Sequence, residues 1–202
     1  MKQKLAIYLA GTIKKEHESA DESFWTEEDM RMLRGHLPEF DVSYLNPALR
    51  SDDLSDQFSV FGRDMLQVFC SDIVFVDARG RRGLGVGAEM MWAKLNKIPV
   101  VVWAPKDTHY NKSHTTILGV PIANFIHPFV ECLSDAIVKD MEEGAHSIRV
   151  LRSNLQGNIK GIEHIEEAMK HYQSTQLEND KPMQQIINAH DALKSRIQQL
   201  TT

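Results

Sequence analysis

Three short apolar runs, each without the alternation typical of a half-buried strand, constrain the fold of this chain more than any other feature. They occupy residues 5–10, 73–76 and 99–103. Uninterrupted runs of this length suit strands that are buried on both faces, as in a parallel sheet. A further strand is predicted at residues 40–44, where apolar and polar residues alternate before Asn46-Pro47.

Helical spacing of apolar residues separates these strands. Helices are predicted at about residues 23–33, 57–69, 88–96 and 133–143, the last one ending at Gly144. Residues 106–116 are predicted to form a long polar loop, followed by a short extended piece at 124–126. The alternation of strands and helices predicts an α/β fold, a doubly wound flavodoxin- or Rossmann-like parallel sheet. Ligands bind such sheets outside the carboxyl ends of the strands, so the segments that begin at Gly11, Asp77 and Ala104 are expected to face a site.

The composition changes beyond Gly144, where strand signals vanish and Pro182 is the only proline. Apolar residues recur there at helical spacing, and one set follows the 3-4-3-4-3 spacing of a coiled-coil seam, although two heptads are too few to form a stable coiled coil alone. The members of this set are Met183, Ile186, His190, Leu193, Ile197 and Leu200. The sequence therefore predicts an α/β domain at residues 1–143 and a helical extension at 144–202.

Charge and cysteine content exclude several classes of function. A net charge of −5 argues against a nucleic-acid polymer as partner, because phosphate contacts need clustered Lys and Arg. The apolar run at residues 5–10 is too short for a signal peptide, and no stretch has the length of a membrane helix, so a cytoplasmic protein without a membrane partner is expected. Cys70 and Cys132 lie far apart in apolar surroundings and are predicted to be buried and reduced. No metal site and no cofactor are predicted.

The glycine-rich run at residues 83–89 is the strongest candidate for a functional site. It joins a buried strand to a helix, and glycines let the backbone approach a ligand closely. Glu89 is expected in the first turn of that helix, where the helix dipole would keep its carboxylate ionised. An ionised carboxylate facing a ligand is what a covalent glycosyl-transfer nucleophile requires. The alternative is a surface carboxylate that only stabilises the helix.

Four motifs occur in an order and spacing typical of one enzyme family. They are Tyr8-Leu9-Ala10-Gly11, Asp64, Ser71-Asp72-Ile73-Val74 and Leu84-Gly85-Val86-Gly87-Ala88-Glu89. Together they resemble the nucleoside 2-deoxyribosyltransferase superfamily over residues 4–143. The last motif is especially similar to the 2′-deoxynucleoside 5′-monophosphate N-hydrolase branch.

This resemblance implies a catalytic set of Tyr8, Asp64 and Glu89. Glu89 would attack C1′ of the sugar, Tyr8 would orient Glu89, and Asp64 would handle the proton on the leaving base. Transfer to another base would make the protein a transferase, and transfer to water a hydrolase. The resemblance and the position at the sheet edge together predict the following substrate-binding residues: Gly11, Thr12, Ile13, Asp77, Gly85, Gly87 and Asn124. Asn124 would be presented to a neighbouring subunit, because members of the family form homodimers or larger homo-oligomers.

The sequence also departs from the family's pattern. Gly83 stands where relatives often carry an aspartate or a phosphate-binding serine. The charged loop with Arg79, Arg81 and Arg82, together with Lys14 and Lys15, would favour a nucleotide over a nucleoside if it binds phosphate, and is otherwise a solvated loop. A catalytically inactive nucleotide-binding sensor is therefore an alternative function. A dinucleotide-cofactor binder is disfavoured, because the three-glycine fingerprint is missing after the first strand.

Overall fold

The computed structural model describes residues 2–13, 24–153 and 159–200. The chain divides into two compact units, Met1–Lys160 and Gly161–Thr202. The strands of the first unit are β1 (Gln3–Ala10), β2 (Phe40–Leu45), β3 (Ile73–Asp77), β4 (Val100–Trp103), β5 (Asn111–Ile117), β6 (Val120–Ile126) and β7 (Ala136–Val138). Its helices are α1 (Glu27–Gly35), α2 (Gln57–Phe69), α3 (Leu84–Leu95), α4 (Pro128–Leu133) and α5 (Met141–Ser153).

Five of these strands form one parallel sheet in the order β2-β1-β3-β4-β7. Every residue of β3 and β4 is buried, as expected of strands covered on both faces. The prediction of a doubly wound α/β fold is confirmed, and the four predicted strands correspond to β1, β2, β3 and β4.

The alternation of side chains along β1 separates its packing role from its chemical role. Ile7 and Leu9 belong to a core cluster that also contains apolar residues of α1 and α5. Because successive strand residues point to opposite faces, Tyr8 lies on the other face, where its hydroxyl reaches Glu89 of α3. One strand thus anchors the core on one side and supplies a polar group on the other.

The prediction of one helix at residues 133–143 is wrong. α4 ends at Leu133, β7 joins the sheet beside β4, and α5 begins at Met141 and continues through Gly144. Gly144 does not end a helix but allows α5 to lie close to the sheet, since a Cβ at this position would be 2.7 Å from Cζ of Phe75. β7 is short and apolar, and periodicity alone does not distinguish such a strand from part of a neighbouring helix.

Replacing Gly144 by alanine is expected to lower the free energy of unfolding by about 1–3 kcal/mol, because the added methyl group overpacks a completely buried ring. This effect opposes the helix propensity of alanine, which alone would stabilise α5 by about 1 kcal/mol. Urea denaturation measures the difference. The matched control is Gly35→Ala at the end of α1, where a Cβ would meet nothing within 4 Å. Equal effects of the two substitutions would contradict the role assigned to Gly144.

The first compact unit extends past the boundary that the sequence predicted at residues 143 and 144. Ala145, Ile148 and Leu151 of α5 belong to the core cluster of the α/β unit, which continues to Lys160. The helical spacing of these residues was visible in the sequence, but the surface on which they pack was not.

Residues 106–126 were predicted to be mostly loop, but they contain an antiparallel hairpin of β5 and β6. β5 is mostly polar and β6 is mostly apolar, and neither shows the alternation of apolar and polar residues by which strands are recognised.

Helix α2 agrees with its predicted span, yet Val68 is its only buried residue. Phe58, Phe61 and Phe69 are exposed. The predicted burial of the cysteines is also wrong, since Cys70 is exposed and Cys132 is partly exposed. The apolar spacing of α2 identified a helix correctly, but its main apolar face points outwards.

The second unit consists of helices α6 (Ile162–Thr175), α7 (Lys181–Ala189) and α8 (Asp191–Gln199), with a 3-10 helix at Leu177–Asn179. The predicted coiled-coil seam is interrupted at His190, whose backbone is extended with φ −141° and ψ 98°. No helix in the described part of the chain is long and apolar enough to cross a membrane.

Candidate active site

A buried hydrogen bond between a residue of β1 and a residue of α3 forms the centre of the candidate site. The hydroxyl of Tyr8 donates to Oε1 of Glu89 at 2.8 Å. Tyr8 is completely buried and Glu89 is 8% exposed. The other carboxylate oxygen of Glu89, Oε2, is buried and has no hydrogen-bond partner among the described residues. Buried polar atoms are nearly always paired, so Oε2 lacks a partner that a bound ligand would supply.

Burial controls the pKa values of both groups. It raises the pKa of Glu89 to about 7, with a further increase from the charge of Asp64, while the hydrogen bond from Tyr8 opposes the rise. Burial also raises the pKa of Tyr8, and the adjacent Glu89 charge and hydrogen bond raise it further, so the phenol stays a donor. The expectation that the helix dipole keeps Glu89 ionised is wrong. α3 begins at Leu84 rather than near residue 88, so Glu89 lies in its second turn, where desolvation outweighs the dipole.

Asp64 of α2 is the second carboxylate of the site. Its Oδ1 lies 3.6 Å from Nη1 of Arg50 and 3.6 Å from Nη1 of Arg63. Burial raises the pKa of Asp64, and the two guanidinium groups oppose that rise. Asp64 and Glu89 thus form a pair of carboxyl groups whose titrations are coupled by charge.

A cavity of about 470 Å³, here named the Glu89 cavity, brings together six of the predicted site residues. They are Gly11, Thr12, Ile13, Asp64, Gly85 and Glu89. Its volume lies in the range of small-molecule sites. Tyr8 lies behind Glu89 and supports it rather than lining the cavity. At Gly11 an added Cβ would be 3.2 Å from Cδ1 of Trp25, so glycine permits the close approach of the chain here.

Three predicted substrate-binding residues do not line the Glu89 cavity. Asp77 is completely buried and forms ion pairs with Arg79 and Arg82. Gly87 lines a neighbouring cavity instead. Asn124 lies on β6, has φ +51°, and accepts a hydrogen bond from Nζ of Lys106 at 3.2 Å. Its proposed role in the site of a neighbouring subunit stays a prediction.

Two of the three loop arginines serve the architecture of the loop. The guanidinium of Arg79 lies 3.6 Å over the Trp103 ring and pairs with Asp29 as well as Asp77. Arg82 pairs with Asp77 at 2.9 Å and donates to Oγ1 of Thr12 at 2.9 Å. These contacts tie the segment after β1 to the segment after β3. Arg81 is exposed and lines the Glu89 cavity. Lys14 and Lys15, the other candidates for phosphate binding, lie outside the described residues.

The sequence did not predict site roles for Arg50, Arg63 and Val86. Arg82 and Gly83 were noted in the segment after β3, but the ion pair of Arg82 with Asp77 was not predicted. The sheet-edge rule offered a signal for Arg50, because this residue follows the carboxyl end of β2. Only the segments after β1, β3 and β4 were expected to face the site. Arg63 adjoins Asp64, but its proximity to the carboxylate depends on side-chain direction.

Comparisons with known proteins add a likeness in fold. No family model matches the chain, and no curated protein matches it with significance. Among solved structures, the chain is similar to a 2-deoxyribosyltransferase from the psychrotolerant bacterium Bacillus psychrosaccharolyticus. The sequence identity is 17%, the TM-score is 0.44, and the alignment covers 69% of this chain and 90% of the other. This is a distant relationship in fold, and the chemistry of the Glu89 cavity depends on its own residues.

Proposed function

We propose that the protein cleaves the N-glycosidic bond of a deoxynucleoside or nucleoside, or of its 5′-monophosphate, with Glu89 as the nucleophile. The observation that carries the proposal is the Tyr8–Glu89 hydrogen bond, which holds Oε1 and leaves the buried Oε2 of Glu89 unpaired at a cavity that also contains Asp64. An oxocarbenium-like transition state needs a carboxylate next to C1′.

In the first step, Oε2 of Glu89 forms an ester bond with C1′ while the bond from C1′ to the base nitrogen breaks. The base leaves with the electron pair and takes a proton from the Asp64 carboxyl group. In the second step, water or another base attacks C1′ and Glu89 leaves as a carboxylate. The attacking molecule loses a proton to Asp64, which restores the starting state.

The reaction needs Asp64 in its protonated form and Glu89 in its ionised form. The two carboxyl groups together must therefore carry one proton. Burial raises the pKa of Glu89 to about 7, so the pair of carboxyl groups keeps this proton up to about pH 7 in the free protein. Above pH 7 the pair loses its last proton. We therefore expect kcat/KM to fall about tenfold between pH 6 and pH 8.

A pH profile of the Asp64→Asn variant is the control for this prediction. Without Asp64, residual activity depends only on the ionisation of Glu89 and should rise with pH instead of falling. A wild-type rate that increases from pH 6 to pH 8 would contradict the role of Asp64 as the proton donor.

Chromatography of released base tests the function itself. Deoxynucleosides, ribonucleosides and their 5′-monophosphates are each incubated with and without a second free base. Release that requires the acceptor base identifies a transferase, and release without it a hydrolase. A preference for monophosphates would support phosphate binding by Arg81. If no substrate yields release that depends on Glu89, the alternative of a nucleotide-binding sensor is favoured.

The outward face of α2 supports the proposal of a homo-oligomer. Phe58 is 86% exposed, and Phe61 and Phe69 are more than half exposed. Adjacent aromatic residues of this size are enriched in interfaces rather than on free surfaces. Light scattering after gel filtration is expected to give the mass of a dimer or larger assembly, and Phe58→Glu with Phe61→Glu should reduce it. A monomeric mass of the wild type at micromolar concentration would contradict the proposal.

A further inference from the structure

A second cavity adjoins the Glu89 cavity and has no role in the proposed reaction. It has a volume of about 330 Å³ and is here named the His127 cavity. Arg82, Gly83 and Val86 line both cavities, so the two share the wall formed by the start of α3. The deeper lining of the His127 cavity is aliphatic, with Val76, Met90, Val130 and Leu133.

Aromatic side chains form another part of this cavity. The His127 ring lies edge to face with Tyr110, with ring centroids 5.4 Å apart, and is tilted against Phe129 at 6.0 Å. The hydroxyl of Tyr110 accepts a hydrogen bond from the backbone nitrogen of Arg82 at 2.8 Å. Aromatic walls and an aliphatic floor fit a flat ring better than a sugar or a phosphate group.

One residue that lines this cavity has a polar atom without a partner. Nδ1 of His127 is buried and has no hydrogen-bond partner among the described residues. The backbone of the same residue is satisfied, because its nitrogen donates to the carbonyl oxygen of Tyr110 at 2.9 Å. His127 thus carries a buried, unpaired nitrogen and lines a mostly apolar cavity, and a ligand with a polar ring edge would supply the missing partner.

We propose that the His127 cavity binds a free nucleobase whose polar edge hydrogen-bonds to Nδ1 of His127. The shape and the unpaired nitrogen call for a heteroaromatic ring, and its assignment as a nucleobase rests on the proposed function. The base bound here is separate from the base of the nucleoside in the Glu89 cavity. Because the two cavities share a wall at the start of α3, a base that leaves C1′, or one that awaits transfer, has a binding site beside the reaction.

Calorimetric titration of the Glu89→Gln protein with adenine, hypoxanthine, cytosine and uracil tests this proposal, since binding in this variant requires no turnover. At least one base is expected to bind with one site per chain. Val130→Phe, which fills the cavity, should weaken binding at least tenfold, and His127→Phe should weaken it about tenfold. Phe129→Ala provides a second variant at an exposed position, 70% accessible to solvent, and should also weaken binding without disturbing the core.

Asp64→Asn, added to the Glu89→Gln background, locates the bound base. Affinity that is unchanged by this substitution supports the His127 cavity. Affinity that falls with Asp64→Asn but not with Val130→Phe would put the base in the Glu89 cavity and overturn the proposal. Absence of binding by all four bases at millimolar concentration, or equally tight binding of indane, which lacks ring nitrogens, would also overturn it. Base binding without any turnover in the wild type would count against the proposed reaction alone.

Discussion

Replacement of Glu89 by glutamine is expected to reduce base release by about 10⁴-fold or more, because the amide cannot form the ester with C1′. Glutamine has the same shape and can still accept the hydrogen bond from Tyr8, which is 2.8 Å long in the structure. The measurement is single-turnover release of base at pH 6 and pH 8. The matched control is Glu142→Gln, an exposed glutamate on α5, which should leave the rate unchanged.

Tyr8→Phe separates the positioning of Glu89 from its chemistry. Loss of a hydrogen bond to a charged group costs about 1.5–3 kcal/mol, so a decrease of roughly 10- to 100-fold in rate is expected. The substitution also removes the interaction that lowers the pKa of Glu89, and this pKa should therefore rise. A rate decrease without a shift of the pH profile would contradict the direct contact between these two residues as the cause.

The stability of Glu89→Gln shows whether lost activity reflects lost structure. The pKa of Glu89 is raised in the folded protein from 4.5 to about 7, so protonated Glu89 favours folding. This stabilisation is fully present below pH 4.5 and is lost as the pH rises through 7. At pH 8 the buried carboxylate costs up to about 3 kcal/mol. The variant should then be more stable than the wild type at pH 8, as judged by its melting temperature.

The second large effect is expected at a buried ion pair between α3 and the residue that precedes β7. Nζ of Lys94 on α3 donates a hydrogen bond to Oδ2 of Asp135 and forms an ion pair with it, and the two side chains are 1% and 0% exposed. Asp135 also accepts hydrogen bonds from the backbone nitrogens of Val100 at 2.6 Å and Lys160 at 2.7 Å. Asp135→Ala should lower the free energy of unfolding by about 3–5 kcal/mol, because it leaves an ammonium group and two N–H groups buried without this acceptor.

Urea denaturation at pH 7 measures this effect, and two comparisons make it specific. Lys94→Met should cost less than Asp135→Ala, since Asp135 keeps its two backbone donors in that variant. Glu28→Ala breaks the exposed pair with Arg31, whose side chains are 58% and 72% exposed, and should change stability far less than Asp135→Ala, because solvent screens this pair. Equal losses at the buried and the exposed pair would contradict a structural role for Asp135.

Local sequence patterns were sufficient to predict the main architecture of the α/β unit and the order of the site motifs. The apolar runs at residues 5–10, 73–76 and 99–103 identify buried strands through local composition alone. The sheet-edge rule then predicted that Gly11 and Glu89 would meet, and both line one cavity. These inferences succeeded because periodic burial and glycine-rich turns are properties of short segments.

The groups that surround the Glu89 carboxylate, and the strength of their effects on it, depend on the tertiary structure because they come from segments remote in sequence. Arg50 is fourteen positions from Asp64 in sequence, yet both lie at the site. The arginine loop was predicted either to bind phosphate or to be solvated, whereas Asp77 and Asp29 pair with two of its arginines. The pKa of Glu89 follows from burial and not from its place on a helix. Such effects depend on the distances between segments that are remote in sequence and on how far these segments exclude solvent. Neither can be deduced from the order of residues.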